Sequence, residues 1–173
     1  TFSNTGFTTV SRDRDTPFRV VAVTVDRQLA GLQLVDASSD ELLAVLRLLS
    51  EEGVTVRWIE GGEDGAKGRL ISWFRTLNVP NLSRLEASAR DRWGERFRLR
   101  RELGTVTVVG TGIGERPALL ARVLEAIADI PVAPVGCHQS AYGVTLLLPL
   151  ELLDPCQRVL HTLFLEDSAR SGV

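Results

Sequence analysis

The chain predicts an α+β protein made of two similar units in tandem, each an antiparallel sheet with its helices on one face. Three observations lead there. Runs of β-branched and aliphatic residues recur with the alternation of half-buried strands. Between them lie stretches whose apolar residues return every three or four positions, as a helix requires. The order of these elements in the first part of the chain is then met again in the second.

The opening "TFSNTGFTTVSRDRDTP" (Thr1 to Pro17) is polar and has no helical period, so it reads as loop. From Phe18, "FRVVAVTV" alternates and is β-branched. After a short "DRQ" turn, "LAGLQLVD" is expected to pair with it as a hairpin. In "ASSDELLAVLRLLSEEG", Ser38 with Glu41 three residues on is a capping-box pattern. Leu42, Val45, Leu46 and Leu49 form the helical stripe, and Gly53 stands where a helix ends. "VTVRWIE" (Val54 to Glu60) is a strand, "GGEDGAKG" a glycine-rich turn, and "RLISWFRT" (Arg69 to Thr76) another strand. Asn81 is placed to cap a helix carrying Leu82, Leu85, Ala89 and Trp93, and the short strand "RFRLR" (Arg96 to Arg100) follows Gly94.

The second half runs in parallel. Thr105–Val109 is a strand, and Pro117–Asp129 a helix with Leu119, Leu120, Val123, Leu124 and Ile127 on one side. "PVAPVGC" (Pro131 to Cys137) reads as a strand, "HQSAY" as a turn, and "GVTLLLP" (Gly143 to Pro149) as a strand. Asp154 is expected to cap a last helix, "PCQRVLHTLFLE", with Pro155 in its first position. Each βαββα stretch fits a ferredoxin-like sandwich. At about 70 residues neither buries much core, so the two should pack together or dimerise. The expected division is a leading segment at 1–17, a first unit at 18–103, a second at 104–168 and a tail at 169–173.

Composition narrows the partners. Apolar residues are 44% of the chain and charged residues 24%, enough for a packed core and a soluble surface. Twenty Lys+Arg stand against 22 Asp+Glu without a polybasic block, which argues against nucleic acid. No apolar run approaches a membrane span, no signal-peptide pattern opens the chain, and two cysteines make no disulfide framework. A cytoplasmic protein without a membrane partner is expected. The chain starts at Thr1 and contains no methionine, so either a piece of something longer or the loss of residues at its start is expected.

The turn Gly110-Thr111-Gly112-Ile113-Gly114 evokes a dinucleotide fingerprint, yet Glu115 stands where G-x-G-x-x-G needs its third glycine. The following strand "PVAPVGC" has no acid for a ribose, and too little chain remains for a Rossmann half. Cys137, His138, Cys156 and His161 include no C-x-x-C pair, and Cys156 and His161 are five apart, off a common helical face. Cys156 reads as core. The serines lie in turns and caps, neither histidine has an acidic neighbour to orient it, and Glu51–Glu52 and Glu60–Glu63 read as solvated charge. Trp58, Trp73 and Trp93 suit core packing. No catalytic residue, metal or cofactor is expected.

The stretch "GTVTVVGTGIGERPALLARVLEAIADIPVAPVGCHQSAYGVTLLLPLELLDPCQRVLHTLFLE" (Gly104 to Glu166) resembles the last regulatory ACT domain of aspartokinases. "VVGTGI", "RVLEAIAD", "GVTLLLP" and "RVLHTLFLE" carry the likeness. Upstream, "TFSNTGFTTVS" resembles the segment leading out of the kinase domain, and "FRVVAVTVDRQLAGLQLVD" the opening of the first ACT domain. The resemblance implies a regulatory ACT pair that binds an end-product amino acid, commonly lysine or threonine, between ACT domains. It further implies a homodimer and a kinase domain as partner. A strand-to-helix turn suits this, since its free backbone N–H groups receive a carboxylate.

The sequence departs from the family at three places. "VDASSDEL" keeps Asp36 but lacks the family's Pro-Gly, Arg57 stands where an acid is frequent, and Pro117-Ala118 replaces a second Pro-Gly. A cation at Arg57 disfavours an ammonium nearby. The residues expected to contact an effector are Asp36, Ser38, Ser39, Val56 and Trp58 in the first unit. In the second they are Thr111, Gly112, Ile113, Gly114, Val135 and Gln139. For Ser38 a helix cap is the plainer role. The alternatives are a structural dimerisation module whose effector sites have decayed, or a stand-alone regulator of another enzyme.

Overall fold

A computed structural model describes residues 19–64, 67–113, 117–131 and 133–166. The leading loop, Gly114 and the tail lie outside the described residues. In chain order the elements are β1 (Arg19–Asp26), β2 (Leu29–Ala37), α1 (Ser39–Glu51), β3 (Val56–Asp64), β4 (Lys67–Arg75), α2 (Leu82–Trp93) and β5 (Phe97–Arg100). They continue as β6 (Leu103–Thr111), α3 (Pro117–Ala126), β7 (Gly136–Ser140), β8 (Gly143–Pro149) and α4 (Leu153–His161).

Two four-stranded antiparallel sheets result, in the orders β3-β4-β2-β5 and β1-β6-β8-β7. The first unit, β2-α1-β3-β4-α2-β5, is a complete ferredoxin-like βαββαβ sandwich. The second has the same arrangement, except that its fourth strand is β1, from the other end of the described chain. The expected β1–β2 hairpin therefore does not form. Its two-residue link, Arg27-Gln28, has no Gly or Asn for the positive φ of a tight hairpin. Moreover β2 is a central strand whose two edges are taken by β4 and β5. β1 instead lies along β6, with Val20 opposite Gly110 and Asp26 opposite Thr105.

Each sheet buries one face under its own helices. Leu32, Leu34, Leu70 and Phe74 meet Val45, Leu49, Leu85 and Trp93 in the first core. Val23, Val106, Val108 and Leu146 meet Leu119, Val123, Leu153, Cys156 and Leu160 in the second. Cys156 is thus core, as its sequence context suggests, and burial raises its thiol pKa. A third cluster of Leu29, Ile71, Trp73, Leu103 and Leu147, with Trp58 against it, joins the helix-free faces of the two sheets. Period-2 alternation sends one set of residues to the helices and the other to this seam.

Asn81 caps α2 by accepting the Arg84 N–H at 2.9 Å, and Gly53 (φ 68°) closes α1, both as the sequence indicates. Elsewhere boundaries move. Strand β7 begins at Gly136, because Pro131 and Pro134 cannot donate to a ladder, and His138–Ser140 belong to the strand rather than to a turn. The glycine-rich stretch after Glu60 is largely strand as well, with Gly61 and Gly62 in β3. Helix α3 stops at Ala126. Asp154 is no cap: a 3₁₀ turn at Leu150–Leu152 leads straight into α4, and the Asp154 carboxylate pairs with Arg27.

Candidate functional site

The β2–α1 turn of the first unit is built around a bulge. Val35 faces Arg69 and Ala37 faces Gly68, which leaves Asp36 out of register at φ 52°. Asp tolerates that left-handed conformation better than most residues. Arg96 locks the turn from the far side: it donates to the Asp36 carbonyl at 3.1 Å and to both Glu41 oxygens at 3.1 and 2.6 Å. The same Glu41 carboxylate accepts the Ser38 N–H at 2.9 Å, the return half of a capping box.

The hydrogen-bonded Arg96 guanidinium, helped by the Ser38 N–H against the cost of burial, holds Glu41 below the usual carboxylate range. A carboxylate depressed in the folded state stabilises above its unfolded pKa and ceases to as pH falls through the folded value. The unfolding midpoint should therefore fall more steeply from about pH 5 to about pH 3 in the wild-type chain than in Glu41→Gln. Thermal melts across that range check this, and parallel curves would show that the pair adds no net stability.

Beside this turn is a cleft of about 370 Å³ lined by Ala37, Ser38, Leu42, Gly61, Gly62, Gly68, Arg69 and Leu70. Leu70 faces the helices, so alternation turns the Arg69 side chain to the other face and leaves its backbone to the cleft. Among the described residues the rest of the lining is apolar apart from the Ser38 hydroxyl, with the N-cap of α1 at one end. On the other side runs β3, an edge strand without side chains at its two glycines. As a general matter, a helix N-terminus leaves amide donors free and an edge strand leaves carbonyls free.

Asp36 and Ser38 lie at this turn, and Ser39 opens α1, its side chain outside the description. Val56 and Trp58 lie elsewhere. They pair with Phe74 and Trp73, while Gly61 and Gly62 pair with Leu70 and Arg69. At about 3.3 Å per residue that is roughly 10–20 Å along the strand. Sequence reasoning missed Gly61 and Gly62 by placing them in a turn. Two glycines closing a β-branched run mark a close approach of backbone, and that was the available signal.

In the second unit, Thr111 is exposed at the end of β6 and Gly112 follows at φ 66°. The side chain of Ile113 is wholly buried in the second core. Its carbonyl accepts from Gln139 Nε2 at 3.3 Å, so Gln139 and the turn are brought together. Val135 is not with them. It precedes β7 at the opposite end, its N–H bonded to the Leu147 carbonyl at 2.8 Å.

Among the described residues no three His, Cys, Asp or Glu side chains converge as a metal site would require, and Cys137 is exposed on β7. No described helix is long and apolar enough to cross a membrane.

No protein-family profile matches the sequence, and no curated protein sequence matches it. Solved structures do. The regulatory subunit of aspartate kinase from Thermus thermophilus, in its ligand-free form, superposes with a TM-score of 0.71 at 20% identity, covering 83% of this chain and 97% of that one. Aspartate kinase from Synechocystis gives 0.69 at 17% identity, over 86% of this chain and 27% of that one. Aspartokinase III of E. coli, in complex with lysine and aspartate, gives 0.67 at 17% identity, over 84% and 33%. The chain has the fold of the regulatory tandem ACT domains of aspartate kinases.

Proposed function

We propose that the chain is a regulatory ACT pair that senses an amino acid and passes its occupancy to a kinase partner, as a homodimer. One observation carries the reading: the first cleft sets the N-terminal turn of α1 against the bare edge of β3. The two α-substituents of an amino acid find complementary groups there, and Leu42 and Leu70 offer its side chain an apolar wall. Among the described residues the cleft lining brings no side-chain anion to a second ammonium, which favours a neutral amino acid of the threonine kind over lysine. The likeness in fold to aspartate kinase regulatory domains supports the same class.

Thermal shift against a panel of amino acids tests this. A ligand at about a hundred times its Kd adds roughly 2.7 kcal/mol to the folded state. For a chain of this size the midpoint should rise by about 5–10 °C. The shift should vanish in Gly61→Leu, which fills the cleft from a position with room. A Cβ there meets nothing nearer than Leu70 Cδ1 at 3.7 Å. A flat panel would favour a dimerisation module without effector sites, and an undiminished shift in Gly61→Leu would place the ligand elsewhere.

A further inference from the structure

A second cleft, of about 310 Å³, opens between the two units on their helix-free sheet faces. Its floor belongs to the second sheet: Thr107 and Thr145, whose hydroxyls share a 3.0 Å hydrogen bond, with Val109 and the bare Gly143. One wall is Trp58 of β3, the other His138 of β7, edge strands of different sheets. The two rings lie with centroids 6.3 Å apart and planes 23° from parallel. Tyr142, 74% exposed at the tip of the β7–β8 turn, stands at the rim.

Several bonds hold these walls. Trp58 Nε1 donates to Glu60 at 2.9 Å, and its ring lies against Trp73 at 6.0 Å between centroids. The main chain of Tyr142 accepts the Gly110 N–H at 2.9 Å, so the rim is tied to β6. A bulge between Val56 and Trp58 turns Arg57 out of the alternating pattern toward the cleft. There one of its nitrogens bonds Asp26 at 3.0 Å while the guanidinium lies 5.4 Å over the Trp58 ring. With five N–H donors, Arg57 keeps capacity for an anion after that bond is made.

We propose that this inter-unit cleft binds a small planar aromatic carboxylate. The ring inserts between Trp58 and His138, and the carboxylate takes Arg57 and the threonine hydroxyls. A planar ring between two others needs about 7 Å between their planes, twice a carbon–carbon contact of roughly 3.5 Å, so the exposed His138 swings away from Trp58 to admit it. Aromatic walls, a few hydroxyls and one cation form the usual make-up of such a site. A ligand held there touches both units at once and ties their relative position to its own concentration.

The test is a titration of the whole chain with indole-3-acetate and 4-hydroxyphenylacetate, followed by calorimetry. Cyclohexanecarboxylate serves as a control of similar bulk and charge without a planar ring. Saturable binding is expected for the aromatic acids and at least several-fold weaker binding for the control. Trp58→Leu should weaken the aromatic acids by roughly tenfold or more. His138→Glu, at an exposed edge position that leaves both cores intact, should repel the carboxylate and give a comparable loss. No saturable binding, equal binding of the control, or binding that His138→Glu leaves unchanged would overturn the proposal. Gly61→Leu should not alter this titration, so the two clefts succeed or fail separately.

Discussion

Replacing Trp73 by alanine should lower the unfolding midpoint by on the order of 10 °C. Large aromatic-to-alanine changes in a core cost about 3–5 kcal/mol, and each kcal/mol moves a chain of this size by roughly 2–4 °C. Trp73 is 1% exposed and sits in the seam between the sheets, among Leu29, Ile71, Leu103 and Leu147. Directly opposite on β2 is Gly31, and the ring lies on its bare backbone: a Cβ there would come within 2.7 Å of the ring carbons. Deleting the ring empties the joint and leaves each unit's own core intact. Calorimetry should therefore show the single transition broadening or splitting. Trp73→Phe is the control. The indole N–H is buried with no hydrogen-bond partner among the described residues, so its loss removes a penalty while most of the ring remains. That variant should stay within about 1.5 kcal/mol of wild type. Equal losses in both variants would mean the seam is held by something other than ring packing.

Gly110→Val should cost at least about 3 kcal/mol, and the damage should be confined to the second unit. At this point of β6, β1 passes so close that a Cβ would lie 2.1 Å from the Arg19 carbonyl oxygen and 2.5 Å from Ile113 Cδ1. Neither neighbour can yield: one is main chain, the other a wholly buried side chain. Gly104 plays the same part at the other end, where a Cβ would meet the Asp26 carbonyl oxygen at 2.7 Å. The two glycines allow β1 to lie along β6, and β1 brings Val23 into the second core. Hydrogen exchange is the measurement. In Gly110→Val, amides of β1 and β6 should lose protection while those of β2 and β4 keep it. Retained protection across β1 would show that the sheet accommodates a side chain there.

These two sites also mark where sequence reasoning stopped. Local chemistry was readable: Asn81, Gly53 and the Ser38–Glu41 pair each act within a few residues, so the string contains both partners. Core stripes were readable for the same reason, since periodicity is a local property. Pairing was not. β1 and β2 are adjacent in sequence and both alternate, which is the ordinary signature of a hairpin, and nothing nearby says that β2 has two better neighbours. The clefts suffered similarly. The turn at Asp36 and Ser38 was readable because a turn announces itself, whereas Gly61 and Gly62 come beside it only through the register of β3 on β4. Trp58 was expected to contact an effector in the first unit, yet the same register sets it beside Trp73, and His138 meets it from the other sheet, at the second cleft.

The amino-acid sequence by itself determined the α+β class, the repeated order of elements, the Asn81 and Gly53 helix ends and most residues of each core. Of the expected stripes, however, Leu42 and Leu124 are exposed, and Leu48 is buried. Hydrophobic spacing and capping are set by near neighbours along the chain, and they hold whatever the rest of the molecule does. The tertiary structure alone decided that β1 completes the second sheet and that the helix-free faces meet at Trp73. It also decided that Arg57, Trp58 and His138 face one another across two units. Those outcomes depend on which strand edges remain open once every sheet has formed, and on side chains brought together from strands far apart in sequence. That competition takes place only in three dimensions.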